Sequence, residues 1–317
     1  VAQPRVEAPL SDEVGMSMRP TYQDLATDPM PVLDSFVAAL QAYDQQWDKR
    51  IASFDPATQA AQIAAVKADR EAFLKEIETI NDGVDLLRQH EKLRTCFCWM
   101  NEAMKGAIEL QNKKFDSWHL FQLGFILTQV RAVYERHAPE ASITNVAGTA
   151  DVLWFATGGG KTEAYLGIVG MAMLYARVME RTYGVTAWMR FPLRMLSVQQ
   201  FQRLSYVVAQ ANMIRQREQL GGHPFTVGYY TGAGTPGNIS STYEDNSSTF
   251  LPWISQDKLQ AYQFISDCPY CATEGSIHLV RENARARLKH VCSNVMCWSN
   301  CGADDGVYGE GIRGEIG

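Results

Sequence analysis

Apolar residues recur at steps of three and four positions through most of residues 32–114, the spacing of one buried face on an amphipathic helix. Three such stretches follow one another, with a break at Asp55-Pro56. Their apolar positions are Leu33, Phe36, Leu40, Tyr43, Trp47 and Ile51; then Ile63, Val66, Phe73, Ile77, Ile80, Val84 and Leu87; then Phe97, Met100, Met104 and Ile108. The pattern predicts a helical N-terminal domain over 32–114. Five of the twelve prolines lie before it, so we expect residues 1–31 to form an extended arm.

The periodicity changes after residue 150. Short apolar runs at 152–155, 185–191 and 225–230 alternate with helical patterns at about 162–181 and 197–219. The order strand, helix, strand, helix, strand predicts a parallel sheet in an α/β domain over 115–257, ending in a loop rich in Gly, Ser, Thr and Asn. Residues 302–317 are glycine-rich and carry no periodic pattern, so they are expected to be a tail.

Composition and charge narrow the class of protein. The chain has 317 residues, 46% of them hydrophobic, and a net charge of -6, which excludes wholesale disorder and a uniformly basic surface. Residues 177–217 nevertheless hold seven arginines and one acidic residue, Glu180. Guanidinium groups suit phosphate contacts, so this segment is a candidate nucleic-acid surface. The alternative is that several of these arginines lie on solvated helix faces or pair with acids elsewhere.

A glycine-rich run lies between the first predicted strand and the helix after it: Phe155-Ala156-Thr157-Gly158-Gly159-Gly160-Lys161-Thr162. Glycines let backbone N–H groups converge on phosphate oxygens at a helix N-terminus. Lys161 can reach the β- and γ-phosphates, and the Thr162 hydroxyl can ligate Mg²⁺. We therefore predict ATP and Mg²⁺ as ligands, with Lys161 and Thr162 as the catalytic residues. The strict pattern has glycine where this chain has Phe155.

Five of the seven cysteines fall between residues 268 and 301. Cys268 and Cys271 form a C-x₂-C knuckle, and two of Cys292, Cys297 and Cys301 can complete a tetrahedral Zn²⁺ site. Residues 258–301 are thus predicted to be a structural zinc-binding insertion. A clustered, odd set of cysteines without a visible secretory signal indicates a reducing compartment, so the cytoplasm is expected. The longest apolar run, 165–176, is about half of the roughly 20 residues that a membrane helix needs, so no membrane partner is expected.

The glycine-rich run resembles motif I of superfamily 2 helicases and translocases. Arg190-Phe191-Pro192-Leu193-Arg194-Met195-Leu196-Ser197-Val198-Gln199-Gln200 resembles motif Ia, in which a first RecA-like domain touches DNA; this implies DNA contacts at Pro192, Arg194 and Gln200. Trp118-His119-Leu120-Phe121-Gln122 resembles an adenine-reading element in which Gln122 contacts the base. A helix that buries Trp and Phe is the other interpretation of that last segment.

A longer ordered set of motifs resembles the helicase-related large subunit of DISARM anti-phage defence systems, over about residues 75–300. The segments that carry the resemblance are Ile80-Asn81-Asp82-Gly83-Val84-Asp85-Leu86-Leu87, Trp99-Met100-Asn101-Glu102-Ala103-Met104, the element at Gln122, and Gly158-Gly159-Gly160-Lys161-Thr162-Glu163-Ala164-Tyr165-Leu166. The resemblance implies a DNA-translocating ATPase that binds DNA and a second defence-system subunit. It implies a partial RecA-like domain, with nucleotide contacts at Gln122, Thr157, Gly158, Gly159, Gly160, Lys161, Thr162 and Glu163. The spacing from His290 resembles the family's and favours Cys292 and Cys297 over Cys301.

A superfamily 2 motor also needs a carboxylate pair after an apolar strand and a second RecA-like domain. We find no apolar strand ending in Asp-Glu in the sequence. The chain is therefore expected to be an N-terminal part of a helicase that hydrolyses little ATP alone. The contrasting hypothesis is a non-enzymatic zinc-containing module for DNA tethering or assembly, with a vestigial phosphate loop.

Overall fold

The computed structural model describes residues 16–138, 150–153, 160–191, 194–228, 255, 257, 260–282 and 287–297. Seven α-helices are assigned within these residues: α1 (Tyr22–Thr27), α2 (Pro29–Ala52), α3 (Ala60–Gln89), α4 (Glu91–Leu110), α5 (Leu120–Glu135), α6 (Lys161–Val178) and α7 (Arg194–Arg217). A short 3₁₀ turn at Gln260–Tyr262 precedes strands β1 (Ile277–Glu282) and β2 (Arg287–Cys292). The described part of the chain is thus mostly helical and carries one small sheet.

The described residues divide into two compact units. The first lies within 1–106, 114–187 and 214–222, and the second within 107–113, 188–213 and 223–317. In the first unit α1 packs on α2, α2 on α3, α3 on α5 and α5 on α6. The fully buried side chains there include those predicted from the helical stripes, among them Leu33, Phe36, Leu87, Phe97 and Met100.

The close approach of α3 and α5 depends on a glycine. A Cβ atom placed on Gly83 would lie 2.1 Å from the backbone oxygen of Leu127, so a side chain has no room there. One residue before it, Asp82 accepts hydrogen bonds from Nε and Nη2 of Arg131 on α5, the first at 2.5 Å. Arg131 also donates to Glu135 at 3.3 Å. Gly83 and the Asp82–Arg131 ion pair therefore join the two helices at neighbouring positions.

The extended arm predicted for residues 1–31 is wrong from Tyr22 onward, because α1 and the start of α2 occupy that stretch. The prolines that favoured an arm include Pro29 and Pro31, which lie in the first turn of α2. Proline is accepted in a first turn because the N–H groups there have no partner within the helix. Asp28 caps this helix by accepting a hydrogen bond from the Met30 N–H at 3.2 Å.

The parallel sheet is not seen in the described residues. The segment 185–191, predicted to be a strand, is irregular, and the described parts of the other two predicted strands, 152–153 and 225–228, are irregular as well. Val185 and Trp188 are 64% and 67% exposed, whereas a parallel strand is covered on both faces. Runs of apolar, β-branched residues favour a buried strand. A strand forms, however, only where a neighbouring strand supplies partners for its backbone hydrogen bonds.

The sheet that is present is an antiparallel hairpin of β1 and β2, in which Ile277 pairs with Cys292 and Glu282 with Arg287. It lies in the second unit, inside the segment predicted to bind zinc. The loop predicted at 231–257 lies outside the described residues apart from 255 and 257, as does the tail at 302–317, and the predicted domain boundaries stay predictions. No helix in the described ranges has both the length and the apolar character needed to cross a bilayer.

Candidate nucleotide and metal sites

Four cysteine sulfurs converge in the second unit. Cys268 and Cys271 come before β1, Cys292 ends β2, and Cys297 follows it, and the four Sγ atoms all lie within 4.8 Å of one another. The Sγ–Sγ distances are 3.5 Å for Cys268 and Cys297 and 3.7 Å for Cys271 and Cys292. Four thiolates about 2.3 Å from one tetrahedral Zn²⁺ would be about 3.8 Å apart, whereas a disulfide brings two sulfurs to about 2.05 Å. The spacing therefore fits a shared metal ion, and all four cysteines are free thiols.

The surroundings of these sulfurs are those of a structural site. Cys268, Cys292 and Cys297 are buried together with Ile265 and Ile277, and the cluster is closed further by Tyr270 and Phe201. Burial raises the pKa of the Cys268 thiol. Burial also acts to raise the pKa of Cys271, but hydrogen bonds with Thr273, Cys297 and Cys268 together outweigh it and lower that pKa to about 7. A site closed in this way suits a metal that stabilises folding and leaves no room for a reacting water.

Two hydroxyl groups beside the sulfurs were missed by the sequence analysis. Cys271 Sγ and Thr273 Oγ1 are 3.2 Å apart, and the Cys292 thiol donates to Ser276 Oγ at 3.5 Å. Such outer contacts orient metal ligands. Nothing in the spacing of Thr273 and Ser276 marks them, because both are ordinary residues of a turn. Cys301, the other candidate fourth ligand, lies outside the described residues.

The phosphate loop is described only at its end, because residues 154–159, and so Thr157, Gly158 and Gly159, lie outside the described residues. Gly160 has φ +85°, a left-handed conformation that favours glycine, and α6 begins at Lys161 directly after it. Lys161, Thr162 and Glu163 form the first turn of this 18-residue helix. Glu163 is buried, and a carboxylate in a first turn is favoured by the partial positive charge of the helix N-terminus. The helix start predicted from the sequence is therefore confirmed.

Gln122 contacts the end of the phosphate loop. Its Nε2 donates to the Gly160 carbonyl at 2.7 Å, across 38 positions of sequence, and its Oε1 accepts from the His119 N–H at 2.8 Å. The side chain is 3% exposed. A Cβ on Gly160 would lie 2.7 Å from Nε2 of Gln122, so the glycine also makes room for this amide. Two elements that the sequence analysis assigned separately to the nucleotide site are thus in contact.

Trp118, the aromatic residue of the same element, is a buried anchor. Its indole Nε1 donates to Asn101 Oδ1 at 2.7 Å, and Asn101 donates in turn to the Phe97 carbonyl at 2.8 Å. Its ring meets Tyr22 edge to face at 4.9 Å. Trp118 therefore fits the interpretation in which this element is a helix that buries its aromatic residues. Gln122 is the residue of this element that bonds to the loop.

The arginine-rich segment divides into arginines with different roles. Arg177 and Arg215 are buried and donate to the carbonyl oxygens of Gly221 and Gly222, respectively. Arg217 pairs with Glu102 and Glu218. Arg217 thus pairs with acids, as the alternative interpretation of the segment expects, whereas the burial of Arg177 and Arg215 against carbonyl oxygens was not predicted.

The residues predicted to contact DNA are described only in part. Arg194 is the first residue of α7, but its side chain lies outside the described residues, as does Pro192. Gln200, on α7, accepts a hydrogen bond from Arg203 at 3.1 Å. Their predicted DNA contacts stay predictions.

Comparison with known proteins supports the resemblance noted in the sequence. No protein-family model matches the chain. The chain is similar to a curated relative, the DISARM protein DrmA of Bacillus paralicheniformis. The two are 28% identical over 257 residues, which is 75% of this chain and 21% of the relative. The chain thus spans about one fifth of that relative's length, and the resemblance drawn from the motifs is confirmed.

Proposed function

We propose that this chain is the ATP- and DNA-binding N-terminal part of a superfamily 2 DNA helicase or translocase that acts in anti-phage defence. The observation that supports the proposal is the hydrogen bond between Gln122 and Gly160, since it joins the segment that resembles an adenine-reading element to the end of the predicted phosphate loop. The similarity to DrmA supports the defence role. In this proposal, residues 115–257 belong to a first RecA-like domain, and a second defence-system subunit is the protein partner.

At the phosphate end, Lys161 would bind the β- and γ-phosphates and Thr162 would ligate Mg²⁺. The left-handed Gly160 lets the backbone turn into α6, and the partial positive charge of the helix N-terminus would favour bound phosphates. Glu163, buried in the same turn, would orient groups around the metal. Gln122 retains a second amide hydrogen and a second oxygen lone pair for adenine, because an amide offers two of each.

At the DNA end, the cysteine cluster would hold one Zn²⁺ that fixes helix α7. Phe201 of α7 packs against the cluster and meets Phe264 at 6.3 Å between ring centroids. Gln202, the next residue, donates to Asp267 Oδ2 at 3.2 Å, one position before Cys268. Since α7 begins at Arg194, zinc would stabilise the helix that presents Arg194 and Gln200 to the DNA backbone.

The ATP proposal is tested by titrating a fluorescent ATP analogue into the chain in the presence of Mg²⁺. Lys161→Ala removes the phosphate-binding cation and should weaken binding at least about ten-fold, because charge-assisted phosphate contacts are strong. Lys75→Ala, an exposed lysine on α3, is the matched control and should leave binding unchanged. Gln122→Ala should reduce the preference for ATP over GTP. Binding that does not depend on Lys161 would favour the non-enzymatic module with a vestigial loop.

DNA binding is tested by measuring affinity for a short duplex and a single strand as a function of salt. Arg194→Ala should weaken binding and lower the salt slope by about one, because one phosphate contact is lost. Arg217→Ala should change the slope less, since Glu102 and Glu218 already neutralise that guanidinium. We expect little DNA-stimulated ATP hydrolysis from these residues alone, because the sequence holds no apolar strand ending in Asp-Glu.

A further inference from the structure

Tyr22, the first residue of α1, carries a buried hydroxyl that makes no hydrogen bond in the part of the chain that the structure describes. The residue is 1% exposed, so its hydroxyl is shielded from bulk water. Burying a polar group without a partner costs free energy, and most buried side-chain polar atoms in folded proteins are paired. The indole of Trp118 beside it is paired in this way, through Asn101. The Tyr22 hydroxyl is therefore a candidate for a functional role.

The backbone around Tyr22 is tied to the segment that leads into α5. The Tyr22 N–H donates to the Asp116 carbonyl at 2.9 Å. Two residues further along the same segment, the Trp118 N–H donates to the Pro20 carbonyl at 3.0 Å. The rings of Tyr22 and Trp118 meet edge to face, with their centroids 4.9 Å apart. Tyr22 is thus held in place by its backbone and by its ring.

Trp118 connects this aromatic pair to helix α6. A Cβ atom placed on Gly167 would lie 3.0 Å from Cη2 of Trp118, so the indole packs on α6 at Gly167. Glu163 lies one turn earlier on α6, and residues four positions apart share one face of a helix. Glu163 therefore lies on the face of α6 that the Trp118 indole covers.

The charge of Glu163 reaches the Tyr22 hydroxyl. Burial raises the pKa of Tyr22, and the carboxylates of Glu163 and Asp116 raise that pKa further. The phenol therefore keeps its proton and can donate it to a hydrogen bond. Asp116 is 67% exposed and pairs with Arg19 at 3.0 Å, whereas Glu163 is buried. Glu163 is thus the buried carboxylate that this donor can serve.

The same carboxylate reaches the end of the predicted phosphate loop. A Cβ atom placed on Gly160 would lie 3.6 Å from Oε2 of Glu163 and 2.7 Å from Nε2 of Gln122. A carboxylate has two oxygens, so a donor bound to one of them fixes the direction in which the other one points. We propose that Tyr22 is a positioning residue of the nucleotide site, whose hydroxyl donates to Glu163 when Glu163 orients groups around Mg²⁺; this inference rests on the function proposed above. A hydrogen bond from a hydroxyl to a carboxylate is about twice as strong as one between neutral groups.

Tyr22→Phe separates this role from a purely structural one, because it removes the hydroxyl and keeps the ring. The first measurement is urea unfolding of the full chain without nucleotide. We expect the midpoint of Tyr22→Phe to equal or exceed that of the wild type, since the deleted hydroxyl has no partner to lose. Tyr43→Phe, at an exposed tyrosine of α2, is the matched control and should leave the midpoint unchanged. A lower midpoint for Tyr22→Phe at unchanged slope would overturn the inference, because the hydroxyl would then already serve the fold.

The second measurement is the affinity for a fluorescent ATP analogue, in Mg²⁺ and in a chelator that removes it. Tyr22→Phe should weaken binding about ten-fold in Mg²⁺ and leave binding without Mg²⁺ nearly unchanged, since a hydrogen bond to a charged group is lost only when Glu163 acts on the metal. Glu163→Gln should show the same dependence on Mg²⁺. The double variant should bind no more weakly than Glu163→Gln alone, because the two residues act as one unit.

The outcomes separate this inference from the function on which it rests. Wild-type chain that shows no ATP binding dependent on Lys161 would overturn both. ATP binding that depends on Lys161, but that Tyr22→Phe leaves unchanged or weakens equally with and without Mg²⁺, would overturn the role of Tyr22 alone. Tyr43→Phe should bind the analogue as the wild type does in both conditions.

Discussion

Three helical glycines of the first unit differ in the space around them, and this difference predicts a ranked series of substitutions. Alanine at Gly83 would place Cβ 2.1 Å from the backbone oxygen of Leu127. At Gly167 the nearest atom is Cη2 of Trp118, at 3.0 Å, and at Gly124 it is a side-chain carbon of Ile80, at 3.6 Å. The added methyl group would therefore clash with backbone at Gly83, press on a packed ring at Gly167 and make an ordinary contact at Gly124.

The magnitudes follow from these distances. Ordinary contact begins near 3.4 Å, so Gly83→Ala requires helix α5 to move by about 1.3 Å. Overpacking of this kind costs about 1–3 kcal/mol or more, and the better helix propensity of alanine offsets up to about 1 kcal/mol. We expect Gly83→Ala to lower the free energy of unfolding by about 2 kcal/mol. Gly167→Ala should leave the free energy of unfolding nearly unchanged, and Gly124→Ala should raise the free energy of unfolding by about 0.5 kcal/mol.

The assay is urea unfolding, monitored by far-ultraviolet circular dichroism, of the wild type and the three variants. The comparison requires that all four have the same dependence of the free energy of unfolding on urea concentration. A shift in the midpoint at unchanged slope reports a change in the stability of the folded state. The reasoning is refuted when Gly83→Ala unfolds at the same urea concentration as Gly124→Ala, because the close approach of α3 and α5 would then impose no steric limit.

The cysteine cluster predicts one Zn²⁺ per chain, released by acid because only deprotonated thiols bind the metal and acid protonates them. Cys268→Ser should abolish the zinc measured by a colorimetric chelator, whereas Cys98→Ser, a cysteine of α4, should retain it; equal zinc in both would contradict the four-thiolate site. The buried hydrogen bond between Trp118 and Asn101 predicts that Asn101→Leu lowers the free energy of unfolding by about 2 kcal/mol, since the indole N–H then loses its acceptor. Urea unfolding measures this, and a loss below about 0.5 kcal/mol would mean that water replaces the acceptor.

The helices were predictable because each buries one apolar face, and the three- and four-residue spacing of that face is visible within the helix's own segment of sequence. The stretches around Phe36, Val84 and Met100 became α2, α3 and α4, with boundaries shifted by a few residues. The four-cysteine cluster was predictable for a related reason: thiolates that share a metal occur at short, repeated spacings. Both signals are local.

The features that the sequence did not predict depend on residues that are far apart in sequence. The segment around Val185 has the composition of a strand, yet no ladder partner is seen among the residues that the structure describes. The arginines looked alike in sequence, but Arg177 and Arg215 are buried against carbonyl oxygens while Arg217 meets Glu102, 115 positions away. Whether an arginine is buried, paired with an acid or exposed depends on which residues the fold places beside it.

The amino-acid sequence by itself determined the helical stripes, the start of α6 to within a residue and the clustering of the cysteines, because periodicity and ligand spacing act over a few residues. Only the tertiary structure decided that Gln122 would bond Gly160 and that Gly83 would admit the backbone of α5. It also decided that Arg177 would be buried and would donate to the Gly221 carbonyl. Each of these is a contact across tens of residues, set by how the helices pack, and no local pattern records it.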